Sequence, residues 1–201
     1  MRKTNLTLLL LVVSMLVTLG LKAQVTFGVK AGLNFAKFLT KSDGITEKSD
    51  ALTGFHTGVL VAIPISENFF VQPELLYSAK GGSTTYEGDR YSLNYSYAEL
   101  PINLKYKFPI NETINIFGAT GPYVGYLISA KGKLNNSSAD AKELMKDLDY
   151  GFKIGTGAEI KNFIIGIQYE LGLANISNSN GINMNHRVFG VSLGYLFGRK
   201  D

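Results

Sequence analysis

The most regular stretch of the chain is residues 98–108, AELPINLKYKF. Every second position, from Ala98 to Tyr106 and Phe108, is apolar or aromatic. The positions between them are Glu99, Pro101, Asn103, Lys105 and Lys107. Successive side chains of a β-strand point to opposite faces of the sheet. The stretch therefore predicts a strand with one apolar face and one polar, partly charged face.

The same period of two continues along most of the chain. It is regular in residues 25–35, 150–160 and 163–173, and less regular in 55–63, 69–79 and 187–197. Residues 114–128 have the composition of a strand, but Gly121 and Pro122 interrupt them, which suggests a β-bulge there. Together these stretches predict eight strands. Their length of about 9 to 15 residues is sufficient for tilted strands that cross a bilayer.

The connections between the predicted strands alternate between long and short. The short ones are residues 64–68, 109–113 and 161–162, and the long ones are 36–54, 80–97, 129–149 and 174–186. Outer-membrane barrels have this arrangement, with tight turns on the periplasmic side and longer loops outside. The sequence thus predicts an all-β fold, an eight-stranded antiparallel up-and-down transmembrane β-barrel.

The polar face of the strands indicates which face points inward. Its glycines are Gly28, Gly32, Gly58, Gly151, Gly155, Gly157, Gly166, Gly172, Gly190 and Gly194. A surface in water does not need so many missing side chains, whereas the narrow lumen of an eight-stranded barrel does. Aliphatic residues, with Phe and Tyr at several strand ends, make up the other face and suit lipid and its aromatic girdles. A soluble periplasmic barrel, with the apolar face lining a ligand cavity, is the alternative.

Charged residues of the polar face are expected to pair inside the barrel, because buried charges require partners. We expect a structural lumen network of Lys30, Glu74, Glu99, Lys105, Lys107, Lys153, Glu159 and Glu170. Four positive and four negative groups would fill the interior as a polar plug and leave no open pore.

The N-terminus has the features of a secretory signal peptide. Arg2 and Lys3 precede an apolar run that is followed by Lys22, Ala23 and Gln24. We expect cleavage after Ala23, which divides the chain into a signal peptide, 1–23, and a barrel domain, 24–201. Removing Arg2, Lys3 and Lys22 lowers the formal net charge from +4 to +1, so a nucleic-acid partner is not expected. The absence of cysteine excludes disulfides and thiolate zinc sites.

Three segments resemble the PorT-like outer-membrane β-barrel proteins. They are GVKAGLN at residues 28–34, QPELLY at 72–77 and AELPINLKY at 98–106. The end of the signal peptide, at Lys22 to Gln24, is also similar to theirs. The resemblance covers the whole predicted barrel and implies location in the outer membrane of a Gram-negative cell. It implies no functional residues, because some relatives are linked to protein secretion and most have no assigned activity.

Catalytic, cofactor and metal sites are not expected. His56 and His186 each border a long connection, and we interpret them as solvated or hydrogen-bonding residues near the outer rim. Neither a nucleophile motif nor a metal-ligand spacing accompanies them. The protein is therefore interpreted as a non-enzyme.

The long connections are the remaining candidates for function. After Asn135–Ser138, residues 139–148 resemble a short capped amphipathic helix with Leu144 and Leu148 on one side. We expect an integral outer-membrane protein with a structural or interaction role. Its partners would be outer-membrane lipid and, during insertion, the barrel assembly machinery. A secretion-associated, receptor or adhesion barrel with a protein partner at its loops is the alternative.

Overall fold

The computed structural model describes residues 25–42, 44–86, 88–134, 137–179 and 181–198. The predicted signal peptide, residues 1–23, and the pair Asn135 and Asn136 lie outside these ranges. Among the described residues, no helix is both long enough and apolar enough to cross a membrane.

Strands dominate the described residues. In chain order they are β1 (Thr26–Ser42), β2 (Ile45–Lys48), β3 (Asp50–Pro64), β4 (Phe69–Tyr86), β5 (Asp89–Pro109), β6 (Ile114–Leu134), β7 (Ser137–Asp140), β8 (Leu148–Ile160), β9 (Phe163–Gly172) and β10 (Asn183–Phe197). Eight of these are long and pair antiparallel in the order β1-β3-β4-β5-β6-β8-β9-β10, and β10 pairs back to β1. The predicted eight-stranded up-and-down barrel is confirmed. The four-residue strands β2 and β7 are additions that pair only with β1 and β6.

The long connections were predicted wrongly in one respect, because much of their length is strand. From Leu76 and Glu99 onward, strands β4 and β5 pair continuously up to Tyr86 and Asp89, and β1–β2 and β6–β7 form short hairpins. Polar residues on both faces do not end a strand once it has left the apolar layer, because its backbone ladder can continue in water. We call the end with these extensions the loop end and the opposite end the short-turn end.

The predicted amphipathic helix at residues 139–148 is also wrong. Residues Ser137–Asp140 belong to β7, and only Lys142–Leu144 form a single 3₁₀ turn. Leu144 and Leu148 are more than half exposed and pack on no helix face. A single turn is too short to bury an apolar stripe. The beginning of this segment therefore pairs with β6 as a hairpin strand and does not form a helix.

A bulge occurs in β6, but not at the predicted position. The register of β6 with β8 runs unbroken through Gly121 and Pro122. With β5 the register shifts where Ser96 pairs with Ser129 and Tyr97 pairs with Leu127, so Ile128 is the extra residue. Pro122 removes one ladder donor and requires no inserted residue, which explains why it does not shift the register.

Exposure of the two faces is the reverse of that in a soluble barrel. Outward-facing Phe27, Ile154 and Leu193 are 60%, 63% and 64% exposed, whereas inward-facing Glu99 and Lys105 are 0% and 1% exposed. A barrel that carried an apolar ligand in water would bury the first set and expose the second. The soluble periplasmic alternative is therefore wrong.

Exposed aromatic side chains form two rows around the barrel. The row at the short-turn end is Phe27, Phe69, Phe108, Phe163, Tyr195 and Phe197. The row at the loop end is Phe35, Phe55, Tyr77, Tyr126, Tyr150, Tyr169 and Phe189. Such rows mark the two interfaces of a membrane barrel, with an apolar band between them.

Candidate functional site

An apolar layer fills the lumen at the short-turn end. Leu60, Phe117, Ile164 and Leu196 form a buried cluster there, with Ala119 packed against it. These residues lie on the polar face of their strands, where the sequence pattern predicted mainly glycine and charge. They are large side chains that the narrow lumen accommodates because glycines stand beside them.

Glycines make room for these side chains by close approach. A Cβ added at Gly157 would lie 2.7 Å from the ring of Phe117, and one at Gly32 would lie 2.6 Å from the ring of His56. At Gly151 it would lie 2.9 Å from the ring of Tyr123 and 2.1 Å from the carbonyl oxygen of Leu171. The glycines of the polar face thus face large lumen side chains.

A first ionic cluster lies next to the apolar layer. Glu159 accepts from Lys105 Nζ at 2.5 Å and from Lys107 Nζ at 2.7 Å. Glu74 pairs with Lys30 at 3.0 Å and also accepts from Gln72 Nε2 at 2.7 Å. Because these carboxylates each have several donors, their burial is compensated. An adjoining cavity has a volume of only about 50 Å³.

A second ionic cluster lies further toward the loop end and is centred on Lys80. Its ammonium group contacts Glu170, Glu99 at 2.8 Å and Asp149 at 3.6 Å. Lys153 bridges the same two glutamates, in contact with Glu99 and at 3.1 Å from Glu170. All five side chains are at least 95% buried.

The structure places all eight residues of the predicted lumen network inside the barrel and in ion pairs. It adds Lys80 and Asp149, which lie at the edges of the predicted long connections 80–97 and 129–149. Continuing the period of two from Glu74 to Lys80, and back from Lys153 to Asp149, would have found both. Among the described residues, the two clusters hold five lysines and five carboxylates, so the buried charge balances.

The histidines are not rim residues, contrary to the interpretation from sequence. His56 and His186 are 1% and 0% exposed. His56 Nδ1 lies 2.8 Å from Asn34 Oδ1, and His186 Nε2 lies 3.3 Å from the hydroxyl of Tyr97. The strands extend past both residues, and this extension encloses them. Within the described ranges, no group of three or more metal-ligating side chains occurs.

An aromatic and apolar layer closes the lumen on the loop side of Lys80. Its buried members are Phe38, Tyr95, Tyr97, Leu127, Ala130, Ala141, Met145, Ala174 and Ile176. The ring of His186 packs edge-on against Tyr97 at 5.6 Å between centroids. The ionic clusters are consequently held between two apolar layers, and this second layer was not predicted.

Outside this layer, the extended strands enclose an open cup of about 850 Å³. Phe38, Ala141 and Met184 form its floor. The strand register aligns two rows of residues across its wall. The inner row is Gly82, Leu93, Gly132 and Ala139, and the outer row is Thr84, Tyr91, Leu134 and Ser137.

The cup is hollow because of small residues and the bulge. Leu93 is the single large side chain of the inner row. A Cβ added at Gly132 would meet its nearest neighbour, Leu93, at an ordinary 3.6 Å, so space remains there. The extra residue Ile128 shifts the alternation of β6, so that Leu127 and Ala130 both face inward. Gly132 then faces the cup, whereas an unbroken alternation would point Lys131 into it.

Several solved structures have a similar chain path. They include the attachment invasion locus protein Ail of Yersinia pestis (16% identity, 86% of this chain and 99% of that one, TM-score 0.43). Neisserial surface protein A (NspA) is 14% identical over 84% of this chain and 96% of its own, with a TM-score of 0.48. OprG from Pseudomonas aeruginosa is 12% identical over 86% and 95%, with a TM-score of 0.47.

Sequence comparison gives a family but no individual relative. No curated protein matches the chain. The family model described as outer membrane protein beta-barrel domain matches residues 21–178. This match spans well over half of the chain.

Proposed function

The chain belongs to the outer membrane protein beta-barrel domain family, and on this premise we propose that it is a non-conducting barrel that binds a partner in its cup. It is a small integral protein of the cell outer membrane with a structural or interaction role. In barrels of this class the short turns face the periplasm and the longer connections face outside. The cup then opens at the cell surface.

The filled lumen is the observation that carries the proposal. From one end to the other it contains an apolar layer, two neutralised ionic clusters and an aromatic layer. An ion would have to displace buried Lys80 and Lys153 from their carboxylates, and separating a buried pair is costly. The cup is by contrast open to the exterior, so binding there needs no rearrangement of the barrel.

The chemistry of the cup suits an uncharged or amphipathic ligand. Its volume of about 850 Å³ lies within the ~300–1,000 Å³ of small-molecule sites. Phe38, Leu93 and Met184 supply apolar surface, and hydroxyl groups surround them. Two acids and two lysines near the cup, Glu47, Asp140, Lys48 and Lys133, leave it without net charge. An apolar body with a few hydroxyl or amide groups would match this lining.

An adhesion or receptor role is the second candidate, and the hairpin extensions favour it. Strands β4 and β5 stay paired to Tyr86 and Asp89, well beyond the aromatic row at Tyr77. They would present a rigid surface to a protein partner.

The proposal also includes how the protein reaches the membrane. Residues 1–23 would be cleaved as a signal peptide, the barrel assembly machinery would insert the barrel, and the chain would be PorT-like. The proposal includes no enzymatic activity, no cofactor and no nucleic-acid partner.

Planar bilayers test whether the lumen conducts. We expect the purified wild-type protein to insert without producing conductance steps, because the paired side chains of the two ionic clusters occupy the lumen. An open porin in the same bilayers is the positive control. Stable channels on the nanosiemens scale would contradict the proposal.

Filling the cup tests whether it holds a ligand. In Gly132→Trp the indole would occupy the hollow beside Leu93, and we expect loss of a non-covalent ligand carried by the wild type. The measurement is native mass spectrometry of protein extracted from cells. Gly118→Trp, on the outward face of the same strand, is the matched control and should retain the added mass. An added mass unaffected by Gly132→Trp, or absent from the wild type, would count against a ligand in the cup.

A further inference from the structure

Two cations stand directly opposite each other on the outward face of the barrel. Lys37 of β1 pairs in register with Arg187 of β10. They lie two residues beyond the pair Phe35 and Phe189, so they share its outward face. Like charges opposite each other on neighbouring strands destabilise a sheet. A counter-charge at this position would remove the repulsion.

No side chain in the described part of the chain supplies that counter-charge. Among the described residues, no carboxylate pairs with Lys37 or Arg187. Their neighbours on the outward face along β1, β9 and β10 are Phe35, Leu39, Leu171, Asn185 and Phe189. None of these is acidic, and no ion pair between described residues involves either cation.

Arg187 is held in place by the backbone. Its Nη1 donates to the carbonyl oxygen of Gly172 at 2.8 Å and to that of His186 at 2.7 Å. A guanidinium has five N–H donors in a planar fork, so further donors remain for an anion. Fixing the side chain before binding reduces the ordering cost of an anion contact.

The pair lies at the level of lipid headgroups. Phe35, Phe189 and Tyr169 are aligned across three strands and belong to the aromatic row of the loop end. From Phe27 to Phe35 the strand rises by about 27 Å. At a tilt of ~35–45° that is a height of about 19–22 Å, and Lys37, two residues further on, lies at about 24–27 Å, the edge of the ~25 Å apolar band of such barrels. One step beyond this band, a side chain meets the charged headgroups.

We propose that Lys37 and Arg187 bind a phosphate of a phosphorylated glycolipid in the outer leaflet. Arginine recognises phosphate through parallel N–H···O contacts, and lysine adds a point charge. The apolar surface around Phe35 and Leu33 would accept the acyl chains of the same molecule, which a free phosphate ion lacks. Lys41, four residues further along the same face, could contact a second phosphate or the sugar. This site is separate from the cup and lies on the opposite side of the wall.

The test compares a lipid with and without its phosphate groups, and with phosphate alone. The full mature protein is folded in neutral detergent micelles and titrated with diphosphorylated lipid A, dephosphorylated lipid A or inorganic phosphate. Thermal unfolding is followed by the shift in gel mobility between folded and unfolded barrel. We expect diphosphorylated lipid A to raise the temperature of the unfolding midpoint by several degrees. Dephosphorylated lipid A and inorganic phosphate should leave this temperature unchanged.

Substitutions locate the effect at the cation pair. Lys37→Gln combined with Arg187→Gln should weaken lipid A binding by about fivefold for each cation removed. Lys131→Gln combined with Lys146→Gln removes the same charge elsewhere at the loop end and should leave binding unchanged. If Arg187 is necessary for folding, the single variant Lys37→Glu tests the proposal with Arg187 unchanged. It should raise the unfolding midpoint without lipid, by giving Arg187 a partner, and abolish the response to lipid A.

Three outcomes would overturn the proposal. An equal response to dephosphorylated lipid A would assign the effect to acyl chains. An equal response to inorganic phosphate would assign it to free anions. Equal losses in the two double variants would assign it to overall charge. None of these outcomes bears on the cup, whose tests use bilayer conductance and bound mass.

Discussion

Replacing Glu99 with lysine is expected to lower the free energy of unfolding by about 3–5 kcal/mol, the cost of breaking a buried ion pair. Glu99 is fully buried between Lys153 and Lys80. In Glu99→Lys three ammonium groups would share the space with Glu170 and Asp149, so the balance of buried charge is lost. The measurement is urea unfolding of the protein in lipid vesicles, followed by gel mobility.

Reversing the partner should recover part of this loss. In Glu99→Lys combined with Lys153→Glu the charges balance again. We expect only about half of the lost free energy to return, because Lys80 loses its contact with Glu99 and Glu170 loses its contact with Lys153. Glu112→Lys, on an exposed turn, makes the same charge change outside the lumen and should cost less than about 0.5 kcal/mol. A stable Glu99→Lys variant, or no recovery in the double variant, would show that this cluster does not stabilise the barrel.

The second large effect is expected from Gly121→Val. A Cβ at Gly121 would lie 1.9 Å from the carbonyl oxygen of Ile102 and 2.9 Å from the Cα of Asn103. Both are backbone atoms of β5, so relief requires the two strands to separate. We expect a loss of about 3 kcal/mol, at the upper end of overpacking costs, in the same urea measurement.

Gly118→Val is the matched control on the same strand. Nothing lies within 4 Å of a Cβ built at Gly118. Valine favours strands, and here it would add apolar surface to the outward face, so stability should be unchanged or slightly increased. If both variants lost the same stability, the effect would belong to glycine substitution in β6 and not to the close approach at Gly121.

Several local features were predictable from the sequence because they depend on neighbouring residues. The alternation around Glu99 and Lys105 predicts which side chains face inward, and the structure has them inward. The short turns were predictable for the same reason. The extensions beyond the membrane were not, since alternation fades there while the backbone ladder continues. Lys80 and Asp149 were missed because each lies at the edge of a connection that was expected to be a loop, although both continue the alternation of their strands.

The positions of the two histidines were also not predictable from the sequence. Because His56 and His186 each border a predicted long connection, the sequence indicates that they are rim residues. They are enclosed because strands β4 to β6 continue far past them and because an aromatic layer from several strands closes over the lumen. Adjacency in sequence carries no information about such a layer, whose members Phe38, Tyr97 and Ile176 come from distant parts of the chain.

By itself, the sequence determined that the chain forms eight strands, which face is apolar in the seven that alternate, and where the tight turns lie. These are properties of adjacent side chains with a period of two. Only the tertiary structure decided which charges meet, such as Lys80 with Glu170, 90 residues apart. It also decided that small residues line an empty cup and that Lys37 stands opposite Arg187. Such contacts depend on the register of all the strands at once and on one extra residue at Ile128, which shifts the alternation along the rest of β6.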